Sequence, residues 1–264
     1  MKILQDIIKN KLSEISDRKQ LCPIKVLEKR RSFTAPTVPL EKYLTKDSLS
    51  GVIAEIKRSS PSAGVFHSKI DITKTSIGFM RSGASALSIL TDNKFFSGSI
   101  DDLQTARDHN FCPILRKDFI LDEYQILESK AYGADCILLI ARILKWESLC
   151  ALVKLSQSLG LSVLVEAHNK NEIIQISSLE NVIFGINSRD LDTLEINHDL
   201  FAEAINLLPV ESIKVAESGI QQPARIDHLR SIGYRGFLIG EKFMRASNPV
   251  DEIQEFISNL NRGE

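Results

Sequence analysis

Eight short runs of aliphatic and β-branched residues recur along this chain, each followed by a stretch of helical character. That alternation constrains the fold more than any other feature. The runs are VIAEIK (52–57), ALSIL (86–90), PILRK (113–117), CILLI (136–140), SVLVE (162–166), VIFGIN (182–187), SIKVAE (212–217) and GFLIG (236–240). They begin about one strand–helix unit apart, which predicts a parallel sheet with its helices outside. Eight such units suggest a closed (β/α)8 TIM barrel. An open doubly wound sheet normally carries a Gly-rich dinucleotide turn after its first strand. The first turn here is RSSPSAGVF, without G-x-G-x-x-G, so the α/β barrel is the expected fold.

Ahead of the first strand, Ile3, Ile7, Ile8, Leu12 and Ile15 recur at spacings of three and four, predicting an amphipathic helix with those residues on one face. Pro23, Pro36 and Pro39 break the connection that follows. Residues 1–48 are read as an N-terminal helical extension packed on a barrel spanning 49–264, the whole forming one domain. A length of 264 residues fits, since closed barrels often run to ~250 residues as one unit. A net charge of −1 supplies no basic footprint for nucleic acid. Cys22, Cys112, Cys136 and Cys150 form no C-x-x-C pair and are expected as buried free thiols in a reducing cytoplasm. MKILQDIIKNKLSEISDRK lacks the uninterrupted apolar core of a signal peptide, and no run approaches the ~18 apolar residues that cross a bilayer. A cytoplasmic protein without nucleic-acid or membrane partners is expected. With NRGE just past the last helical segment, no second enzyme is expected to be fused there.

Charged residues enter the runs at one end. Glu55 and Lys57 are two apart on the first strand and so share a side with Ile53. PILRK ends in Lys117, SVLVE in Glu166, VIFGIN in Asn187 with Arg189 two residues on, and SIKVAE in Glu217. Parallel strands place all C-terminal ends on one rim, where barrel enzymes build their sites. Any one of these residues could belong to a structural ion pair or a loop in water. Five strands with polar residues at the same end point to function, because burying unpaired charge costs several kcal/mol. AESGI (216–220) and LIGEKFM (238–244) place Gly219 and Gly240 just beyond the last two strands. There a barrel often binds phosphate through backbone N–H groups, so a phosphorylated small molecule is the expected partner.

These stretches resemble the indole-3-glycerol phosphate synthase family of tryptophan biosynthesis. The resemblance rests on AEIKRSSPSAG (54–64), ALSILTDNKFFSGS (86–99), ILRKDFILDEYQI (114–126), GADCILLIA (133–141), VLVEAHN (163–169), GINSRDL (185–191), AESGI and IGEKFMR (239–245), in order along the chain. It implies closure of the indole ring of 1-(2-carboxyphenylamino)-1-deoxyribulose 5-phosphate, with loss of CO2 and water and without metal or organic cofactor. By motif position Lys117 corresponds to the general acid, Glu166 to its partner in dehydration and Lys57 to a lysine near the substrate carboxylate. Burial is expected to lower the pKa of the acid lysine. The resemblance also implies that Glu55 holds the lysines, Asn187 orients the substrate, and Ser60, Ser62, Arg189 and Glu217 complete the pocket. Phosphate is expected against Ser218, Gly219 and Gly240 with help from Lys57, and Phe95 and Phe96 beside the anthranilate ring. The five histidines lack metal-ligand spacing; His168 is expected in a supporting or structural role. A monomer is expected, with weak association with other enzymes of the pathway.

Two positions depart from the family pattern: Ala63 where many relatives carry lysine, and Glu241 where some carry serine or threonine. Phosphate binding is therefore assigned to the backbone there. A phosphoribosylanthranilate isomerase needs an acid/base pair but no site for decarboxylative closure, and a silent metabolite-binding barrel needs neither Lys117 nor Glu166. The two-lysine, two-glutamate pattern and the extension favour the synthase family.

Overall fold

In the computed structural model, which describes residues 2–260, eight parallel strands close on themselves. They are β1 (Val52–Ile56), β2 (Ala86–Leu90), β3 (Ile114–Lys117), β4 (Cys136–Ile140), β5 (Ser162–Ala167), β6 (Ile183–Asn187), β7 (Lys214–Glu217) and β8 (Gly236–Ile239). β1 pairs with both β2 and β8, which removes the free edge of the sheet. Almost every strand residue is buried, because one face meets the barrel interior and the other the helices. That explains continuous apolar runs instead of alternation.

The two faces form separate cores. Val52, Ala54 and Ile56 point outward and pack with helix residues such as Phe79, Leu103, Ile253 and Phe256. Ile53, Leu115, Leu138, Leu164, Val215 and Leu238 fill the barrel with Leu40 and Leu44 of the extension. Leu44 lies against Gly236 at the start of β8, so the extension plugs the N-terminal end of the barrel. Each such aliphatic side chain contributes about 1.5–3 kcal/mol by leaving water. Lys214, the charge at the start of β7, is buried there and donates to the carbonyls of Pro209, Val210 and Ser212.

The first helix, Lys2–Leu21, differs from its expected face. Ile7 and Ile15 are buried, but Leu12 is 56% exposed and Lys11 only 1%. Residues 7, 11 and 15 make one stripe at a spacing of four, and Leu12 lies about 100° around the axis from Lys11. The Lys11 ammonium sits 2.9 Å from Asp92, from Asp118 and from Glu14. Burial disfavours its charge, but these carboxylates outweigh that and raise its pKa above the ordinary lysine value.

All four cysteines are free; Cys112 and Cys136 are buried, whereas Cys22 and Cys150 are only half-buried. Among the described residues no helix is long and apolar enough to cross a membrane. The closing NRGE stretch lies outside the described residues.

Candidate active site

Glu55 and Lys57 do share a side, and they meet: Lys57 Nζ donates to Glu55 Oε1 at 2.7 Å, with Glu55 only 5% exposed. Across the mouth Lys117 Nζ reaches Glu166 Oε2 at 2.7 Å and Glu217 Oε2 at 3.1 Å. Strand register brings this about. Glu166 on β5 pairs with Gly185 on β6, and Asn187 on β6 pairs with Glu217 on β7. A Cβ at Gly185 would collide with Glu217 Oε1, so the glycine supplies the space that the carboxyl occupies. Asn187 Oδ1 accepts from Ser218 Oγ at 2.8 Å and from the Arg189 N–H at 3.1 Å.

These groups line one cavity at the C-terminal end of the barrel, together with Ser60, Ser62, Arg189, Ser218, Gly219 and Gly240. The first loop reaches it as a small hairpin, Ser59–Ser60 against Gly64–Val65, with Pro61 and Ser62 at its turn. Arg58 ties that hairpin to the Ser97 carbonyl of the next loop and to Asp102 in the helix Ile100–His109. Phe95 is the exception: it does not line the cavity, whereas its neighbour Phe96 does. Successive helical residues point ~100° apart. Asp92 caps the short helix Asn93–Phe96 through the Phe95 N–H, which fixes which ring faces inward. Phe96 packs on Phe119, ring centroids 6.1 Å apart, and both line the cavity.

The charges are strongly interdependent. Burial alone would lower the Lys117 pKa, as expected from its sequence, but Glu166, Glu217 and Glu55 raise it well above the ordinary lysine range. Lys117 is therefore a firmly held ammonium in the unliganded site. Burial lifts both carboxyls, yet Lys117 and His168 hold Glu166 well below the usual carboxylate range. Glu217, buried beside the Glu166 charge, is pushed well above that range. The two carboxyls are thus driven in opposite directions, as where two carboxyls must do different work.

At the other side of the mouth Ser218 and Gly219 both adopt left-handed backbone, φ 69° and 70°. A Cβ on Gly219 would also lie 2.5 Å from His198 Cε1. Ser218 is held there by its bond to Asn187 and by Ser188 Oγ donating to its carbonyl; such non-glycine strain clusters at functional sites. Gly240 has a second reason besides backbone access, because a Cβ there would sit 2.5 Å from Glu55 Oε1. Glu241 Oε2 accepts from Arg189 Nη2 at 3.2 Å, and its Oε1 from Arg245 Nη2 at 2.8 Å.

With this geometry in hand, comparison with known proteins settles the family. Residues 4–256 match the family model described as indole-3-glycerol phosphate synthase. The chain belongs to this family. Curated relatives named indole-3-glycerol phosphate synthase include one from Bacteroides thetaiotaomicron, 41% identical over 98% of either chain. Another, from Polaromonas naphthalenivorans, is 40% identical over 96% of this chain and 97% of its own. A solved tryptophan synthase complex from Pyrococcus furiosus aligns with a TM-score of 0.57 at 13% identity, over 80% of this chain and 97% of its own. That last likeness shows the shared barrel fold.

For a member of the indole-3-glycerol phosphate synthase family, the sequence reading overlooks three parts of the pocket. Ile3, Leu4 and Ile7 bring the N-terminal helix over the cavity; their helical spacing showed an apolar face but not what it covers. Phe119 follows Lys117 by two residues and so shares its side, a signal present in RKDF. Glu241, noted only as a departure, engages Arg189. Among the described residues no group of three or more His, Cys, Asp or Glu is placed to hold a metal ion.

Proposed function

We infer that the converging charges close the indole ring of 1-(2-carboxyphenylamino)-1-deoxyribulose 5-phosphate. The products are indole-3-glycerol phosphate, CO2 and water, the carboxy-lyase reaction of tryptophan biosynthesis carried out by its family. The observation that carries the residue roles is Lys117 Nζ held between Glu166 and Glu217 at the barrel mouth.

Lys117 is the general acid. Its charge polarises the ketone oxygen and stabilises the negative charge that grows there as the ring carbon bearing the carboxylate attacks. The new C–C bond forms as the C=O bond opens and the oxygen takes a proton from Lys117. A strongly held proton suits this step, because transfer becomes favourable only as the oxygen becomes an alkoxide. Loss of CO2 returns its bonding pair to the ring. The nitrogen lone pair then expels the hydroxyl, which leaves as water with a proton from a lysine, and Glu166 accepts the proton lost from the adjacent carbon.

Glu55 fixes Lys57 beside the reacting hydroxyl and the substrate carboxylate. Glu217 completes the pocket, and Asn187 orients the substrate. Ser60, Ser62 and Arg189 close the pocket, and the aromatic ring lies against Phe96 in place of Phe95. The phosphate rests on backbone N–H groups of Ser218, Gly219 and Gly240 with Lys57 nearby. Four free thiols suit a cytoplasmic setting.

The purified chain should convert the carboxyphenylamino substrate to a product with indole fluorescence, in chelator and without added metal. No turnover under any condition would overturn the reading, and turnover only after a divalent ion is restored would overturn its cofactor-free chemistry.

A further inference from the structure

One buried titratable group at this site is unused by the mechanism above. His168 follows β5 by one residue, and its side chain is fully shielded, on the far side of Glu166 from the cavity. Its Nε2 lies 2.9 Å from Glu166 Oε1, while the other oxygen of the same carboxylate contacts Lys117. Glu166 is therefore held between two cationic groups, one on each oxygen. Behind the ring, His168 Nδ1 lies 3.5 Å from Glu172 Oε2, which also accepts the His168 backbone N–H at 2.7 Å.

Glu172 is itself fixed. It belongs to the helix Lys170–Ile176, whose N-cap Asn169 donates from its side-chain amide to Glu172 Oε1 and accepts the Glu172 N–H. Arg142, in the turn after β4, approaches Glu172 at 3.6 Å and also pairs with Asp190 and Asp192. Neither ring nitrogen of His168 makes an aligned hydrogen bond. A neutral ring in this position would thus be a buried polar group without good partners, which is unfavourable. A charged ring between two carboxylates is compensated on both sides.

We infer that His168 is a positioning residue whose imidazolium, wedged between Glu166 and Glu172, fixes the Glu166 carboxylate against Lys117 and keeps it ready to accept a proton. The charges facing this assembly agree. On the cavity side stand Lys117 and Glu217, with Glu55 and Lys57 beyond them. On the far side stand Glu172 and Arg142. Burial works against the imidazolium, but Glu166 and Glu172 together push His168 up to about 9. The ring therefore stays charged across the neutral range.

The role presumes Glu166 as the proton acceptor proposed above, so the test has one arm free of activity. Imidazole resonances followed by NMR against pH, with His168 assigned through His168→Gln, should show this ring titrating near pH 9. In Glu166→Gln its midpoint should fall below 7. A His168 ring that titrates near 6.5 in the unaltered protein, or one that Glu166→Gln leaves unmoved, overturns the proposal whether or not the chain is a synthase.

The second arm is the pH profile of kcat. His168→Gln keeps a donor near Glu166 but removes the charge, so the acid limb should move up by about one pH unit. On that limb the rate falls about tenfold, more than on the plateau. An unmoved limb, or a loss equal at every pH, overturns the proposal. Should His168→Gln fail to fold, Glu172→Gln provides the same test from behind the ring. It should lower the His168 midpoint, and a midpoint left unmoved overturns the proposal.

Discussion

Arg116, Lys117 and Asp118 are consecutive, yet they belong to two different buried ionic clusters. Side chains alternate along β3, so Lys117 enters the barrel mouth while Arg116 turns to the helix layer. Arg116 lies 2.8 Å from Glu128 and 3.1 Å from Asp118 and donates to Thr91, Ser129 and the Gln125 carbonyl. Asp118 joins Lys11 of the N-terminal helix, and burial, which would raise its pKa, is outweighed by Lys11 and Arg116, which hold it below the usual carboxylate range. This outer cluster ties the extension to the strand layer, and Arg116 is only 1% exposed. The inner cluster opens on a cavity, and its Glu166 and Glu217 carboxyls are shifted in opposite directions. Buried charge by itself therefore does not mark a site. The distinction lies in how many of the charges face the cavity, all of the inner cluster but only Asp118 of the outer one, and in carboxyl pKa values driven apart.

The largest separation between the clusters should come from Glu166→Gln. It removes the proposed proton acceptor and should lower kcat per folded molecule by ~10²-fold or more. Arg116→Met should do the reverse. It leaves Glu128 only Arg18 and Asp118 only Lys11 as cationic partners and should cost up to about 3–5 kcal/mol in urea unfolding, while kcat per folded molecule stays within about threefold. Equal loss of activity in both variants would erase the comparison.

A pH series sharpens it further. His168 has a folded pKa of about 9, above the ~6.5 of an unfolded histidine. The stability it contributes is complete below about pH 6.5 and is lost as the pH rises towards 9. At about 1.4 kcal/mol per unit that loss is at most ~3.5 kcal/mol. Urea midpoints at the two pH values should show it, and His168→Gln should lack that component. Gly185→Ala carries the smallest effect, about 1–3 kcal/mol of stability. Because the added methyl displaces the Glu217 carboxyl, it should also lower kcat with fluorescence as the readout, a loss that Gly233→Ala, far from the mouth, should not share.

Much of this was legible from residue order. Eight runs and their spacing identify the barrel, and Glu55, Lys117, Glu166 and Glu217 sit at the same ends of their strands. What stayed hidden depends on three-dimensional partners. Lys11 reads as a solvated residue beside an apolar stripe until Asp92 and Asp118 arrive from other loops. Phe95 and Phe96 are equivalent in sequence, and a helix cap chooses between them. The expected lowering of the Lys117 pKa failed because burial was weighed without counting the carboxylates around it. His168 is expected in a supporting or structural role, and the carboxylates that favour its charge are Glu166 and Glu172, the second of them four residues later and one turn into the next helix.

The most direct measurement is a comparison of kcat and KM for Lys117→Met with those of the unaltered chain, both verified as folded by circular dichroism. The inner cluster as reaction machinery predicts kcat lower by ~10²-fold or more, with KM changed only a few-fold. An unchanged kcat with the whole effect in KM would make Lys117 a binding residue and contradict the account.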